Sequence, residues 1–384
     1  MMKFAAASGG PVRVRPVETR QEWAGFHALP AAIQGGDPNW IRPLLREQRR
    51  LWSAANRWFE HGRAQAWLAW RGDRPVGRIS AQVDEYHFTG QDSDTGMFGQ
   101  LEAVDDPEVF AALLDAAASW IAGQGRRGLL GPFDLSINQS CGLLVDGFGV
   151  PPMMMMGHAP PYYHRRLEEL GLKPATDLLA YRLSPRFKTP PAMERIVERA
   201  GERIELQAIG RGELAGIAPL LQEIFNDAWS ENWGFVPFSR SEFEHMASEM
   251  KLLIRPGYVH LAHLDGEPAA FMVTLPNLNE LIADLDGRLF PTGGLRLLWR
   301  LARNRHSTVR IPLMGVRKRF QGGILGAALT YRLVHATRPA LLRDGVRFAE
   351  LSWILENNRG MRSLIESLGA DAYKRYRIYR WETA

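Results

Sequence analysis

Between Thr308 and Leu333 the chain changes its hydrophobic period. Val309-Arg310-Ile311-Pro312-Leu313-Met314-Gly315-Val316 is an apolar run of strand length. A basic loop with two glycines follows, Arg317-Lys318-Arg319-Phe320-Gln321-Gly322-Gly323. Ile324, Leu325, Ala328, Leu329 and Leu333 then recur at helical spacing. This pattern predicts a strand, a glycine loop and a helix. Apolar or alternating runs predict further strands at 12–17, 66–70, 76–83, 97–104, 129–133, 178–183, 204–209, 259–263, 269–275, 348–356 and 373–381. Amphipathic stretches predict helices at 19–29, within 38–62, and at 107–121, 162–170, 214–229, 240–254 and 359–368. The turns Arg71-Gly72-Asp73-Arg74 and Asp265-Gly266-Glu267 make hairpins of the strands that flank them.

The order of elements occurs twice. WLAWRGDRPVGRISAQV (67–83) parallels HLAHLDGEPAAFMVTL (260–275), and LEELGLKPATDLLAYRL (167–183) parallels LIESLGADAYKRYRIYRW (364–381). Two matched pairs at nearly one offset predict a duplicated domain. The halves are expected at 1–184 and 203–384, joined by a proline-bearing linker, 185–202.

Composition narrows the class. A 384-residue chain with 46% hydrophobic and 23% charged residues is long enough for two globular cores. The single cysteine, Cys141, excludes a disulfide framework and fits a reducing, cytoplasmic setting. No apolar run reaches spanning length, and the lead-in MMKFAAASGG is too short for a signal peptide. A net charge of +5 suits an anionic partner. His158 and His164 have no companions at metal-ligand spacing, so no metal is expected.

A strand, a glycine loop and a helix N-terminus together form an anion site. The first helical N–H groups lack internal partners, and glycines let a diphosphate approach the backbone. Arg317, Lys318 and Arg319 add charge there. The chain has neither GxxxxGK[ST] nor GxGxxG with a following ribose-binding acid, so Walker and Rossmann sites are excluded.

The stretch resembles the acetyl-CoA loop of the GNAT superfamily of N-acyltransferases, Q/R-x-x-G-x-G/A, at Gln321-Gly322-Gly323-Ile324-Leu325-Gly326, with Ile324 in place of the middle glycine. Trp353-Ile354-Leu355-Glu356-Asn357-Asn358 resembles a second GNAT motif, WxxExN. The resemblance covers nearly the whole chain. It implies an α/β (α+β) fold of two tandem GNAT domains, each a mixed, mostly antiparallel sheet flanked by helices.

The same resemblance implies the site. Main-chain groups of Met314, Gly315 and Val316 would hold the thioester carbonyl. Arg317, Arg319, Gln321, Gly322, Gly323, Gly326, Ala327 and Asn357 would hold the rest of acyl-CoA or acetyl-CoA. The family's acid tyrosine position is Ile365, so Tyr373 and Tyr376 are the substitutes, and Glu350 and Glu280 are the candidate bases. The acceptor is expected against Asn226, Trp229, Asn232 and Trp233, with Tyr162 and Tyr163 from the other half. In the first half the loop's place holds Asp105-Asp106-Pro107-Glu108, whose acids repel a diphosphate. Only the second half is therefore expected to bind CoA.

The stretch 280–306 is an insertion whose helix 295–305 places Arg296, Arg300 and Arg303 on one face. A basic face with a tryptophan suits the anionic inner surface of a membrane. NWGF…LPNLNE…GRLFP…MGV…QGG looks like bacterial GNAT-type proteins that include ceramide synthases. The implied activity is transfer of a long acyl chain from CoA, or an acyl carrier protein, to a lipid amine such as a sphingoid base. Acetyl transfer to a small soluble amine and a non-catalytic acyl-CoA or lipid-binding module are the alternatives. Nucleic acid is not an expected partner.

Overall fold

The computed structural model describes residues 10–86 and 94–382. The first series of elements is β1 (Val12–Pro16), α1 (Arg20–Gln34), α2 (Leu45–Leu51), β2 (Gly62–Arg71), β3 (Arg74–Asp84), β4 (Thr95–Ala103), α3 (Pro107–Gly123), β5 (Gly128–Gly131), β6 (Leu143–Asp146), α4 (Tyr162–Glu169) and β7 (Lys173–Leu183). The second is α5 (Pro191–Ala200), β8 (Ile204–Ala208), α6 (Leu214–Trp229), α7 (Arg240–Met250), β9 (Val259–Leu264), β10 (Glu267–Pro276), α8 (Leu278–Ile282), α9 (Gly293–Ala302), β11 (Thr308–Val316), α10 (Gly323–Arg343), β12 (Phe348–Leu355), α11 (Arg359–Ser367) and β13 (Asp371–Glu382). Local chemistry sets several helix starts. Thr19 with Glu22, and Ser239 with Glu242, form capping boxes at α1 and α7. Asp106 caps α3 ahead of Pro107, and Asn358 caps α11.

The strands form one mixed, mostly antiparallel sheet in the order β1-β2-β3-β4-β5-β13-β7-β12-β11-β10-β9-β8, with β6 beside β13. The halves match in detail. Between the pairs Arg78↔Glu102 and Ser80↔Gly99, β3 advances two residues and β4 three. Between Leu275↔Arg310 and Val273↔Leu313, β10 advances two and β11 three. Both are bulges, which add a residue and bend the strand. The bulge in β11 has a packing consequence. Ile311 joins the core under α10, whereas Leu313, two residues on, joins the core under α6 and α7.

The halves do not form separate sheets. β7, the last strand of the first half, pairs with β12. β13, the last strand of the second, pairs with β5, and β7 and β13 pair with each other. Each half's sheet is thus completed by the other's final strand. The boundary expected near 184 falls at the end of β7, inside this exchange.

The insertion departs from expectation in one respect. Arg296 and Arg300 do not face outward as free charges. Both pair with Asp284, and Arg300 also donates to Leu281 O at 2.6 Å. They lie one turn apart, so a single carboxylate ahead of α9 reaches both. That orientation leaves the leucine face of α9 exposed.

Candidate active site

β11 and β12 run parallel from Thr308↔Phe348 to Ile311↔Leu351 and then part. Two features end the ladder. Pro312 brings no N–H, and β12 shifts register against β7 between Leu351 and Ile354. The result is a cleft between the outer ends of two neighbouring strands. Arg317 N–H donates to Ala269 O on β10 at 2.8 Å, so Met314 and Val316, at the alternate positions, turn their backbone groups toward the cleft. Their carbonyls already have partners. Trp229 Nε1 donates to Met314 O at 2.8 Å, and Gln321 Nε2 donates to Val316 O at 2.8 Å. Gly315 sits in tight packing, since a Cβ there would lie 3.2 Å from the Ala228 methyl and 3.2 Å from the Phe271 ring.

The cleft ends at the glycine loop. Gly322 and Gly323 have φ of 77° and 58° with open space where a Cβ would stand. This left-handed backbone is the one glycine adopts without strain. Gly326 is tighter still, since its Cβ would meet Phe320 O at 2.8 Å. The first hydrogen bond of α10 is Gly326 N–H to Gly322 O, so the N–H groups of Gly323, Ile324 and Leu325 precede the helical ladder. The loop's cations make surface pairs: Arg317 with Glu223, Lys318 with Glu231 and Arg319 with Glu267. Such pairs contribute about 0–1 kcal/mol, so a diphosphate can compete for these cations. The donor set, the open glycines and the cleft fit a CoA-type ligand.

Beneath the cleft lies a cavity that encloses about 770 Å³, its mouth included. Phe225, Trp229, Phe235, Phe238, Met246 and Met250 line it from α6, α7 and the turn between them. Ile137, Asn138, Cys141, Met155 and Leu178 line it from the first half. Arg310, Pro312, Leu313, Trp353 and Leu355 come from the parting strands. The lining is apolar apart from Asn138, Asn232 and one charge, Arg310.

Arg310 is fully buried. Its guanidinium lies 4.6 Å above the Trp353 ring and donates to Met154 O at 2.8 Å and to Ser352 Oγ at 3.0 Å. Glu350, also fully buried, stands 3.6 Å from Arg310 Nε, accepts from Ser352 Oγ at 2.7 Å and accepts the Tyr373 hydroxyl. Burial pulls the Arg310 pKa down, and the Glu350 charge offsets part of that. Burial and then the Glu350 carboxylate push the Tyr373 phenol well above its usual range. Burial likewise raises the Cys141 thiol, so it stays protonated in the cavity wall.

The first half has the same cleft position, filled from within. The N–H of Val104 donates to Val76 O as that of Arg317 does to Ala269 O, so Ala103 corresponds to Val316. Ala103 N–H donates to the Tyr163 hydroxyl at 2.9 Å, and Tyr162 donates to Ala103 O at 2.7 Å. Tyr163 also donates to the buried Glu102 at 2.8 Å. Asp106 and Glu108, at the start of α3, pair with Arg71, and Asp105 pairs with Arg165 and Arg166. The expected acidic helix start is present, and its charges are neutralised internally.

Of the residues singled out from sequence, the structure brings Trp229, Asn232 and Trp233 to the cavity. Asn226 is not among them, because both ends of its amide bond the Phe238 backbone. Tyr162 and Tyr163 are not brought there either, since both hydroxyls are spent on Ala103. Glu280 lies at the opposite end of β11 from the glycine loop, accepting from Ser307 N–H at 2.6 Å and from Thr308 Oγ1. Glu350 and Tyr373 stand together behind Arg310 rather than in the lining. The Tyr376 hydroxyl is buried and has no hydrogen-bond partner among the described residues. Asn357 is exposed beside the cap of α11, and Ile365 is a core residue. Ala327 lies in the first turn of α10. Sequence reasoning missed Arg310, Ser352 and the first-half lining residues Ile137, Asn138 and Leu178. The available signal was a lone charge inside an apolar strand.

No protein-family model matches the chain. It is 42% identical over 367 residues to protein YghO of Escherichia coli K12, covering 95% of this chain and 94% of that protein. It is 42% identical over 378 residues to the bacterial ceramide synthase of Caulobacter vibrioides, covering 97% and 98%. Among solved structures, a tandem GNAT protein from the clavulanic acid biosynthesis pathway superposes with a TM-score of 0.55, covering 97% of this chain and 98% of that one at 14% identity. A GCN5-related N-acetyltransferase from Sphaerobacter thermophilus gives 0.54, covering 97% and 95% at 15% identity. The tandem GNAT architecture expected from the sequence is the fold observed.

Proposed function

This chain belongs to the family of the Caulobacter vibrioides bacterial ceramide synthase and protein YghO, and from that premise we propose that it moves a long acyl chain from CoA to a lipid amine such as a sphingoid base. It is an N-acyltransferase of the GNAT type. The observation that carries the finer reading is the apolar lining of the cavity that opens from the β11–β12 cleft. Its walls are aromatic, aliphatic and methionine side chains, which adapt to a flexible hydrocarbon.

The placement of the side chains supports a role for each. Residues 203–384 form the working half, and residues 1–184 wall the cavity. The N–H groups at the start of α10, with Arg317, Lys318 and Arg319, bind the diphosphate. Met314 and Val316 N–H face the acyl carbonyl and stabilise the charge that develops on its oxygen when the amine attacks. The amine nitrogen forms the amide bond as the carbon–sulfur bond breaks, and the proton the nitrogen sheds on acylation passes to the leaving thiolate, which departs as free thiol. Glu350, relayed through Tyr373 or Ser352, takes the proton the ammonium must lose. Arg310 fixes the polar head of the acceptor with Asn138 and Asn232. Acceptor and donor meet at the inner face of a membrane.

Free thiol released from palmitoyl-CoA and from acetyl-CoA, with and without a sphingoid base, tests the proposal. The expected result is release that needs both palmitoyl-CoA and the base. Preference for acetyl-CoA with a small soluble amine, or no release from either donor across a panel of amines, would overturn it.

A further inference from the structure

Phe290, Leu295, Leu298 and Trp299 are 87, 71, 54 and 52% exposed. They are four of the eight large apolar residues that stand out at the surface among the described residues, and they fall within ten positions. Leu295, Leu298 and Trp299 follow the i, i+3, i+4 spacing of one helix face. The helix cannot turn to hide them. Arg296 and Arg300 are tied to Asp284, while Leu297 packs with Leu285 and Leu44, and Leu301 packs toward α6 and α7.

The charges around this face are of one sign. Arg288, Arg303 and Arg305 are exposed, and among the described residues none of them has an ion pair. Arg303 follows Trp299 by four residues and extends its face. The Arg305 guanidinium lies 5.5 Å from the Trp299 ring. The nearby carboxylates are already used, Asp284 by Arg296 and Arg300, and Asp286 by Arg42. No helix among the described residues is long and apolar enough to cross a membrane.

We propose that this face is a docking surface for an anionic lipid bilayer. Four apolar side chains would enter the boundary between headgroups and acyl chains, with the tryptophan at headgroup level and the arginines on lipid phosphates. The side of α9 that meets lipid is therefore the leucine side, not the side bearing Arg296 and Arg300. The purpose of the surface rests on the lipid-amine reading, but its geometry does not.

Flotation of the full-length protein with phosphatidylcholine vesicles, with and without phosphatidylglycerol, tests this. The protein should float with the anionic vesicles and less so as salt rises. Leu295→Asp with Leu298→Asp should weaken partitioning ~tenfold or more. Arg303→Glu with Arg305→Glu should weaken it by about fivefold per arginine and remove the preference for anionic lipid. Both variants should still release thiol from detergent-dispersed substrates. Vesicle binding unchanged in both variants would overturn the proposal. So would binding of an acidic acyl carrier protein at this patch with no flotation. A wild-type protein that fails to float but releases thiol in detergent overturns the surface alone. One that floats but releases no thiol overturns the acyltransferase reading alone.

Discussion

The hydroxyl of Tyr163 accepts the backbone N–H of Ala103 at 2.9 Å, in the position that Val316 holds beside an open cleft in the second half. One half thus fills with its own tyrosines the space that the other leaves open. Tyr163→Phe should therefore cost stability without touching catalysis. It leaves a buried N–H and the buried Glu102 each short of a partner, which costs about 1–3 kcal/mol. Urea unfolding reads that loss, while calorimetric donor binding and thiol release should match the wild type. Lost donor binding would place part of the donor site in the first half.

Chain length should be controlled from α7. Met246 lines the cavity and is only half-buried, so a larger side chain there fills the cavity without overpacking the core. Met246→Trp should lower thiol release from palmitoyl-CoA by about tenfold, in line with a few lost methylene contacts, and leave shorter donors less affected. Equal losses with all donors would show that the cavity does not hold the acyl chain.

Glu350 is expected to matter to turnover more than to donor affinity. Glu350→Gln should lower kcat by ~10² or more if Glu350 is the proton acceptor. It also leaves the buried Arg310 without its counter-charge, which is strongly destabilising, on the order of 3–5 kcal/mol. Thermal melting and donor titration on the same sample separate the two effects. Tyr373→Phe keeps the counter-charge and should shift the pH profile of thiol release. A folded Glu350→Gln protein with near-normal kcat would reduce Glu350 to a structural partner of Arg310.

The halves are also joined by a charged histidine. His61 Nδ1 lies 2.9 Å from Asp84 on β3, and Nε2 lies 3.2 Å from Glu242 on α7. Burial pulls its pKa down, but the hydrogen bond to Asp84 and the charges of Asp84 and Glu242 outweigh it and raise the value to about 10. The folded value exceeds the unfolded 6.5, so the stabilisation is complete below pH 6.5 and is lost as pH rises through about 10. The melting temperature of the wild type should exceed that of His61→Gln at neutral pH, and the gap should close toward pH 10. A gap that does not change with pH would mean the imidazole contributes by packing alone.

What could be read from the sequence was what local chemistry fixes. The strand, glycine loop and helix from Thr308 to Leu333 follow from periodicity and glycine, and the acidic start of α3 from three carboxylates in four residues. The exchange of β7 and β13 was not legible, because each strand's alternation is satisfied equally well by either half's sheet. The bulges in β4 and β11 reverse side-chain parity over a single residue, which no periodic pattern records. Arg310 and Glu350 meet only because β11 and β12 lie side by side. The arginine side of α9 reads from sequence as an unpartnered basic face, because Asp284 becomes its partner only when the chain folds back.

The chain is expected to bind one acyl-CoA, in the second half, at Gly322 and Gly323. Calorimetric titration of palmitoyl-CoA against the full-length wild type and the Gly322→Glu, Gly323→Glu double variant tests it most directly. Both glycines are exposed and bear no Cβ contact, so the fold should survive with some local strain, on the order of 1–2 kcal/mol per residue. The wild type should bind a single equivalent of donor, and the double variant none while its circular dichroism is unchanged. Two equivalents in the wild type, or normal binding in the variant, would contradict the account.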